Sequence, residues 1–209
     1  MECGIYIFVV IVSYLAGSTP AGFLAGKARG IDVREQGSRN IGATNVFRVL
    51  GAGAGIAVLT VDAFKGFAAA RWAPVVALGL FSAPHGPSRE ALALVAGVAS
   101  ILGHNYNCWL GFKGGKGIAT TGGVVLAWAP AACLTALALW GVVFAVSRYV
   151  SLASLAAALV LPFAVWFWNG SLTMTAVMTA LSLLAIYKHK ANVRRLFNGT
   201  ENRFIKNKT

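Results

Sequence analysis

The sequence predicts an all-α integral membrane protein: a seven-transmembrane helix bundle with its N-terminus outside and its C-terminus cytoplasmic. Three observations predict it. Of 209 residues, 57% are hydrophobic and only 11% are charged, where a soluble domain carries about 25% charged residues. Mean hydropathy is +0.70, and the apolar residues fall in runs near the ~20 needed to cross a hydrocarbon core of ~30 Å. The basic residues sit almost entirely in alternate connections between those runs, the pattern that orients membrane helices.

The first run, 4–26, is preceded only by Glu2 and is long enough to span. It therefore reads as a retained helix, because a cleaved signal carries a basic n-region and a shorter apolar stretch. Gly17, Ser18, Gly22 and Gly26 on it are spaced for close helix contact. Further runs fall near 53–80, 91–110, 130–147, 150–168 and 171–188. The stretch 117–129, GIATTGGVVLAWA, is apolar but short and Gly-rich. It is either a brief spanning helix or a re-entrant one buried among its neighbours. Counted as a span, it brings the total to seven.

Charge favours that count. With the N-terminus outside, the inner segments are 27–50, 111–117, the turn at 148 and 188–209. They hold all 18 Lys and Arg residues except Lys65, Arg71 and Arg89. Six helices would split these basic loops between the two faces, against the positive-inside bias. No internal repeat is evident, so residues 1–209 are expected to form a single membrane domain. The net charge of +12 would suit nucleic acid on a soluble surface. Placed in inter-helix loops, it points instead to orientation in the bilayer and an anionic ligand, with no nucleic-acid partner. Cys3, Cys108 and Cys133 make neither a CxxC pair nor a zinc spacing and read as free thiols.

Three polar, Gly-rich segments share the predicted cytoplasmic face. The first, Gly37-Ser38-Arg39-Asn40-Ile41-Gly42-Ala43-Thr44-Asn45-Val46-Phe47-Arg48, sets hydroxyl, amide and guanidinium groups among glycines. That chemistry suits a phosphate; the alternative is a polar interfacial loop with an orienting charge. The second, Gly111-Phe112-Lys113-Gly114-Gly115-Lys116-Gly117-Ile118-Ala119-Thr120, brings two lysines to the start of an apolar helix. Ammonium groups and a helix N-terminus converge there on an anion, although Gly/Lys turns also occur as plain loops. It is not a Walker A loop, since Gly117 follows Lys116. The third, His189-Lys190-Ala191-Asn192-Val193-Arg194-Arg195-Leu196, places His189, Asn192 and Arg195 on one face if the last helix continues. A basic tail touching anionic lipid is its alternative reading.

Asp62 and Lys65, three apart on the second helix, read as an ion pair that neutralises itself or supports the first polar loop. His104 and Asn105 close the third helix and brace the second loop. Ser151 and Ser154, near Arg148, either line the site or hydrogen-bond a helix end. His85 lies in a Pro/Gly-rich outer loop and is assigned no role. Carboxylates to bind divalent metals are missing from these segments, as are GxSxG, HExxH and an HxxxxD pattern at any of the three histidines. No metal and no cofactor are expected.

The strings GSRNIGATNVFRVLG, GHNYNCWLGFKGGKGIATTGG, RYVSLAS and YKHKANVRRLFNGTENRF resemble the signatures of the bacterial acyl-phosphate-dependent glycerol-3-phosphate acyltransferases. The opening GSTPAGFLAGKARGIDVR is similar too. The resemblance runs in order along nearly the whole chain, with Arg39 and the IKNKT tail as departures. It implies transfer of a fatty acyl group from acyl phosphate to the 1-position of glycerol 3-phosphate, giving lysophosphatidic acid and inorganic phosphate. The partners implied are these two substrates and the lipid bilayer of the bacterial inner membrane, with no obligatory protein partner. Lys116, Arg48, Ser38 and His189 are then the expected catalytic set. Lys116 and Arg48 hold phosphate, with Ser38, Thr44 and the backbone of Gly114, Gly115 and Gly117 completing the cradle. Asn45, His189 and Asn192 position glycerol 3-phosphate. Asn40, Lys113, Thr120, His104, Asn105, Ser151, Ser154 and Arg195 complete the expected substrate contacts. The competing class is a transporter or channel for a small phosphorylated anion; outer loops nearly bare of polar ligands argue against it.

Overall fold

A computed structural model describes residues 2–81 and 86–204. His85 and the IKNKT tail lie outside the described residues. The described residues contain helices and no strands, and they fall into two compact units, Met1–Trp128 and Ala129–Thr209.

In the first unit, α1 (Glu2–Gly17) and α2 (Ala21–Lys27) replace the single helix expected over 4–26. Pro20 is the reason: it has no N–H to donate and disfavours helical geometry at Thr19. A broken helix in lipid exposes carbonyls that must find donors. Lys65 Nζ donates to the Thr19 carbonyl at 2.8 Å, and the Asn107 amide donates to the Ser18 carbonyl. The Ser18 hydroxyl in turn donates to the Gly103 carbonyl at 3.2 Å.

Next come α3 (Ala43–Leu50), α4 (Ala52–Leu80), α5 (Arg89–Asn105), a 3₁₀ turn (Cys108–Leu110) and α6 (Ile118–Trp128). α3 is a helical piece inside the segment read as a polar loop. α4 and α6 cross with backbones almost touching. A Cβ at Gly66 would fall onto the Thr120 carbonyl, and one at Gly123 onto the Ala63 carbonyl. Such small-residue crossings replace the missing hydrophobic drive between helices in lipid. α1 and α5 meet the same way through Gly17 and Gly103.

In the second unit, α7 (Pro130–Ser147), α8 (Val150–Asn169) and α9 (Leu172–Lys188) run in sequence. Left-handed Arg148 and Gly170 make the two turns. Indole N–H groups tie α7 to α8: Trp140 donates to Ser154 Oγ at 3.2 Å and Trp168 to Thr135 Oγ1 at 3.0 Å. α10 (Lys190–Phe197) follows α9 after a 58° bend. The last helix therefore does not continue straight through His189.

In the second unit small residues line the helix contacts and many large apolar ones face outward. Ala132, Ala136, Ala153 and Ala158 are buried, while Val146, Phe163, Leu134 and Leu137 are exposed. Large apolar groups facing outward over small ones facing inward are stable only in an apolar solvent. Among the described residues, four helices are long and apolar enough to cross a bilayer: Glu2–Lys27 taken through its break, α4, α7 and α8. α9 with α10 makes a fifth if the bent pair is one span. α5 has 17 residues and α6 has 11. At 1.5 Å per residue α6 reaches only about half of a ~30 Å hydrocarbon core. By length alone the count is thus four or five.

Candidate active site

The first polar loop is shaped by one buried amide. Asn45, in the first turn of α3, is 1% exposed. Its Oδ1 accepts from Ser38 N at 2.7 Å, and its Nδ2 donates to the carbonyls of Val33 at 2.9 Å and Gln36 at 3.1 Å. Gly37 is left-handed and pressed so closely on this amide that a Cβ would fall onto Oδ1. Asn40 Oδ1 accepts from Gly42 N at 2.8 Å, an Asx turn just before α3. Asn45 and Asn40 thus hold the loop in shape. Ser38 and Thr44 are partly buried and Arg48 is exposed. Thr44 and Arg48 are one turn apart on α3, so they share a side.

The second polar loop is moulded on the end of α5. Asn107, fully buried, turns the chain: its Oδ1 accepts from Trp109 N at 3.0 Å, and its carbonyl accepts from Phe112 N at 2.8 Å. The chain then doubles back. Gly114 N donates to the Asn105 carbonyl at 3.3 Å and Gly115 N to the His104 carbonyl at 3.0 Å. Side chains are excluded here. A Cβ at Gly114 would fall onto the His104 carbonyl, and one at Gly115 onto His104 Nε2. At left-handed Gly117 it would stand 2.6 Å from Asn105 Oδ1.

This changes what the glycines do. The N–H groups of Gly114 and Gly115 are bonded to α5, so they do not line an anion cradle as the sequence reading proposed. The first-turn N–H groups of α6 have no intrahelical acceptor, and Lys116, which is partly buried, stands just before them. Lys113 is exposed and Thr120 is buried, its carbonyl against Gly66.

Packing joins the two loops. Leu110 of the second loop belongs to one buried cluster with Val33, Ile41 and Val46 of the first segment and Val58 of α4. Ser38, Thr44, Arg48 and Lys116 are therefore carried by segments built on a common core. Beneath them, Asp62 and Lys65 form the ion pair that their spacing implies, at 2.8 Å, and Asp62 Oδ1 is also 3.5 Å from His104 Nδ1.

In the second unit the polar side chains gather around Glu201, a lone acid in a basic tail. Glu201 is 9% exposed. Its Oε1 accepts from Ser151 Oγ and Asn192 Nδ2, each at 2.8 Å, and its Oε2 from Arg195 Nε at 2.7 Å. Burial pushes its carboxyl up, but the bonds from Asn192, Ser151 and Arg195 and the Arg195 charge outweigh that and hold its pKa below the usual 4.5. A signal was present in the sequence. Asn198-Gly199-Thr200 ends α10 with Gly199 left-handed and Thr200 N donating to the Arg195 carbonyl. This reverses the chain and returns the next residue, an acid, to a helix lined with donors.

Ser154 instead accepts from the Trp140 indole. His189, 3% exposed, has Nδ1 2.7 Å from the Ala185 carbonyl. A carbonyl only accepts, so Nδ1 carries the proton and Nε2 is the basic nitrogen of the neutral ring.

A family model described as glycerol-3-phosphate acyltransferase matches residues 7–199. A glycerol-3-phosphate acyltransferase of Desulforudis audaxviator is 45% identical over 201 residues, covering 95% of each chain. One of Fusobacterium nucleatum is 40% identical, covering 93% of this chain and 96% of the relative. Two crystal structures of PlsY, an integral membrane glycerol 3-phosphate acyltransferase, are each 37% identical. The glycerol 3-phosphate form matches with a TM-score of 0.84 over 96% of both chains. The lysophosphatidic acid form matches with 0.82 over 96% of this chain and 95% of the other.

Proposed function

This chain belongs to the glycerol-3-phosphate acyltransferase family, and we propose that it takes its acyl group from acyl phosphate and delivers it to the 1-hydroxyl. It is a membrane acyltransferase acting on glycerol 3-phosphate. The observation that carries the donor assignment is the α5–α6 loop, where Lys116 stands at the N-terminus of α6 on a segment packed against the one bearing Ser38, Thr44 and Arg48. These groups bind phosphate oxygens, and an acyl phosphate is a mixed anhydride that needs no covalent nucleophile. The hydroxyl oxygen of glycerol 3-phosphate attacks the acyl carbonyl carbon. The bond from that carbon to the bridging oxygen then breaks, and inorganic phosphate leaves. The hydroxyl proton goes to a phosphate oxygen. Holding both reactants in line and offsetting their negative charge are the protein's contributions.

Lys116, Arg48, Ser38, Thr44 and the first turn of α6 take the phosphate-holding role. His189 and Asn192 take that of ordering glycerol 3-phosphate, with Ser151 and Arg195 fixed by Glu201. Asn40, Asn45, His104, Asn105 and the glycines act by shaping their loops. The family match runs across both units and supports one acyltransferase domain.

The test is phosphate release by detergent-purified protein given palmitoyl phosphate, with and without glycerol 3-phosphate, beside a palmitoyl-CoA reaction. The expected result is release that needs glycerol 3-phosphate and yields lysophosphatidic acid. Product from palmitoyl-CoA alone would overturn the donor assignment. A His189→Gln variant is expected to keep its pH profile, since the proton leaves on phosphate.

We also place the enzyme in the bacterial inner membrane with seven crossings, the short α5 and α6 included, the N-terminus outside and the polar loops cytoplasmic. The distribution of Lys and Arg supports this orientation. A green fluorescent protein fused after Thr209 is expected to fluoresce. A dark fusion, with alkaline phosphatase active at the same point, would reverse the orientation.

A further inference from the structure

Three ionisable side chains are buried below the polar loops: Asp62 is 2%, Lys65 7% and His104 4% exposed. Charge buried in a membrane protein is costly and is kept where it serves a site. If the pair only neutralised itself, Asp62 and Lys65 would suffice, being on one helix and 2.8 Å apart. Two further contacts reach outside that helix. Lys65 donates to the Thr19 carbonyl at the α1–α2 break. The same Asp62 oxygen that takes Lys65 lies 3.5 Å from His104 Nδ1, on α5.

The opposite edge of that imidazole meets the phosphate loop. A Cβ at Gly115 would fall onto Nε2 and stand 3.0 Å from Cε1 and 3.1 Å from Cδ2. The ring is thus seated between a carboxylate and the Gly115 backbone. His104 also takes the Gly115 N–H on its carbonyl, and Asn105 Oδ1 closes on Gly117. Lys116 lies between two glycines whose paths are both set by the end of α5.

We propose that Asp62, Lys65 and His104 are positioning residues for acyl transfer, with Asp62 aiming the His104 ring and the ring fixing the backbone from which Lys116 reaches its phosphate. The ion pair holds the carboxylate in place, and Lys65 anchors it to the helix break. The triad touches no reacting atom and acts through the loop. Displacement of a binding group by ~1 Å can cost about 10²-fold in rate, so the geometry of a buried triad becomes a kinetic property. The proposal rests on the reading of Lys116 as a phosphate ligand.

The test is a double-mutant cycle on full-length protein in detergent, reading kcat and KM for palmitoyl phosphate and glycerol 3-phosphate. Folding is checked by monodispersity and thermal unfolding. Gly115→Ala drives a methyl group into the ring and is expected to lower kcat/KM by about 10²-fold. In a His104→Ala background the ring is gone, and the same change is expected to have under about 3-fold effect, a coupling far outside additivity. His104→Asn replaces His104→Ala in the cycle if the alanine variant does not fold. Asp62→Asn with Lys65→Met removes the pair as a neutral unit. It is expected to lower kcat/KM with His104 present and to add nothing in the His104→Ala background. An equal penalty for Gly115→Ala in both backgrounds would overturn the proposal. If Lys116→Ala lowers kcat/KM by about 10²-fold or more while His104→Ala leaves both constants unchanged, this inference fails alone. Full activity in Lys116→Ala overturns the phosphate-loop reading and this proposal with it.

Discussion

Lys116→Ala is expected to lower kcat/KM by about 10²–10³-fold, the range for removing a preorganised charge-stabilising group, with the protein still folded. Lys116 sits between Gly115 and Gly117, at the entry to α6. Its backbone neighbours are fixed by the end of α5, so the ammonium is aimed without a search through loop conformations. Negative charge builds on the departing phosphate during transfer, and an oriented ammonium beside a helix N-terminus stabilises that charge. Truncation leaves the α6 N–H groups in place, so measurable turnover remains. Lys116→Arg keeps the charge but not the compact ammonium, and recovers only part of the activity. Steady-state kinetics with both substrates, beside a thermal unfolding scan, separates this from a folding defect. Unchanged kinetics would remove Lys116 from the site.

Glu201→Gln is expected to destabilise the second unit and to lower activity with it. Glu201 holds Ser151 of α8 and Asn192 and Arg195 of α10 through its two oxygens. Glutamine turns an NH₂ group toward one set of these donors, so at least one bond becomes a donor–donor contact. Leaving a buried donor unsatisfied costs about 1–3 kcal/mol; Arg195 is partly exposed, which keeps its share of that cost small. The pH dependence follows from the depressed pKa. The stabilisation from Glu201 is fully present above its ordinary value of 4.5 and is lost as pH falls through the lower folded value. Wild-type and Glu201→Gln melting temperatures in detergent are therefore expected to differ above pH 4.5 and converge below it. A gap that persists unchanged into strong acid would contradict the account of the carboxylate.

Most helix ends were legible because local chemistry sets them. Pro130 opens α7, Gly170 and Ser171 separate α8 from α9, and apolar runs fill the rest. The Gly/Lys loop before α6 was legible for the same reason, since lysines among glycines at the head of an apolar run are a local pattern. The break at Ser18–Pro20 was also written locally, in Pro20, but what makes it tolerable is not. Lys65 and Asn107 supply the missing donors from far along the chain. Distance likewise hid the use of each glycine. That Gly114 and Gly115 serve to admit α5, and give up their N–H groups to it, depends on His104 and Asn105 lying beneath them. In sequence Asn45 reads as a substrate contact because a side-chain amide advertises hydrogen bonding. Only the fold shows that three backbone groups already occupy it. Glu201 is inconspicuous in sequence because a lone acid in a basic tail looks solvated until the turn at Gly199 returns it to α10.

In the proposed reaction the acyl carbonyl is presented to glycerol 3-phosphate while phosphate is held as the leaving group. Palmitoyl phosphate carrying ¹⁸O at the bridging oxygen tests it most directly, by mass analysis of both products after turnover with glycerol 3-phosphate. Attack at the carbonyl breaks the carbon–oxygen bond, so the account predicts all of the label in inorganic phosphate and none in lysophosphatidic acid. Label recovered in palmitate, with phosphate passed to the acceptor, would place the attack at phosphorus and contradict it.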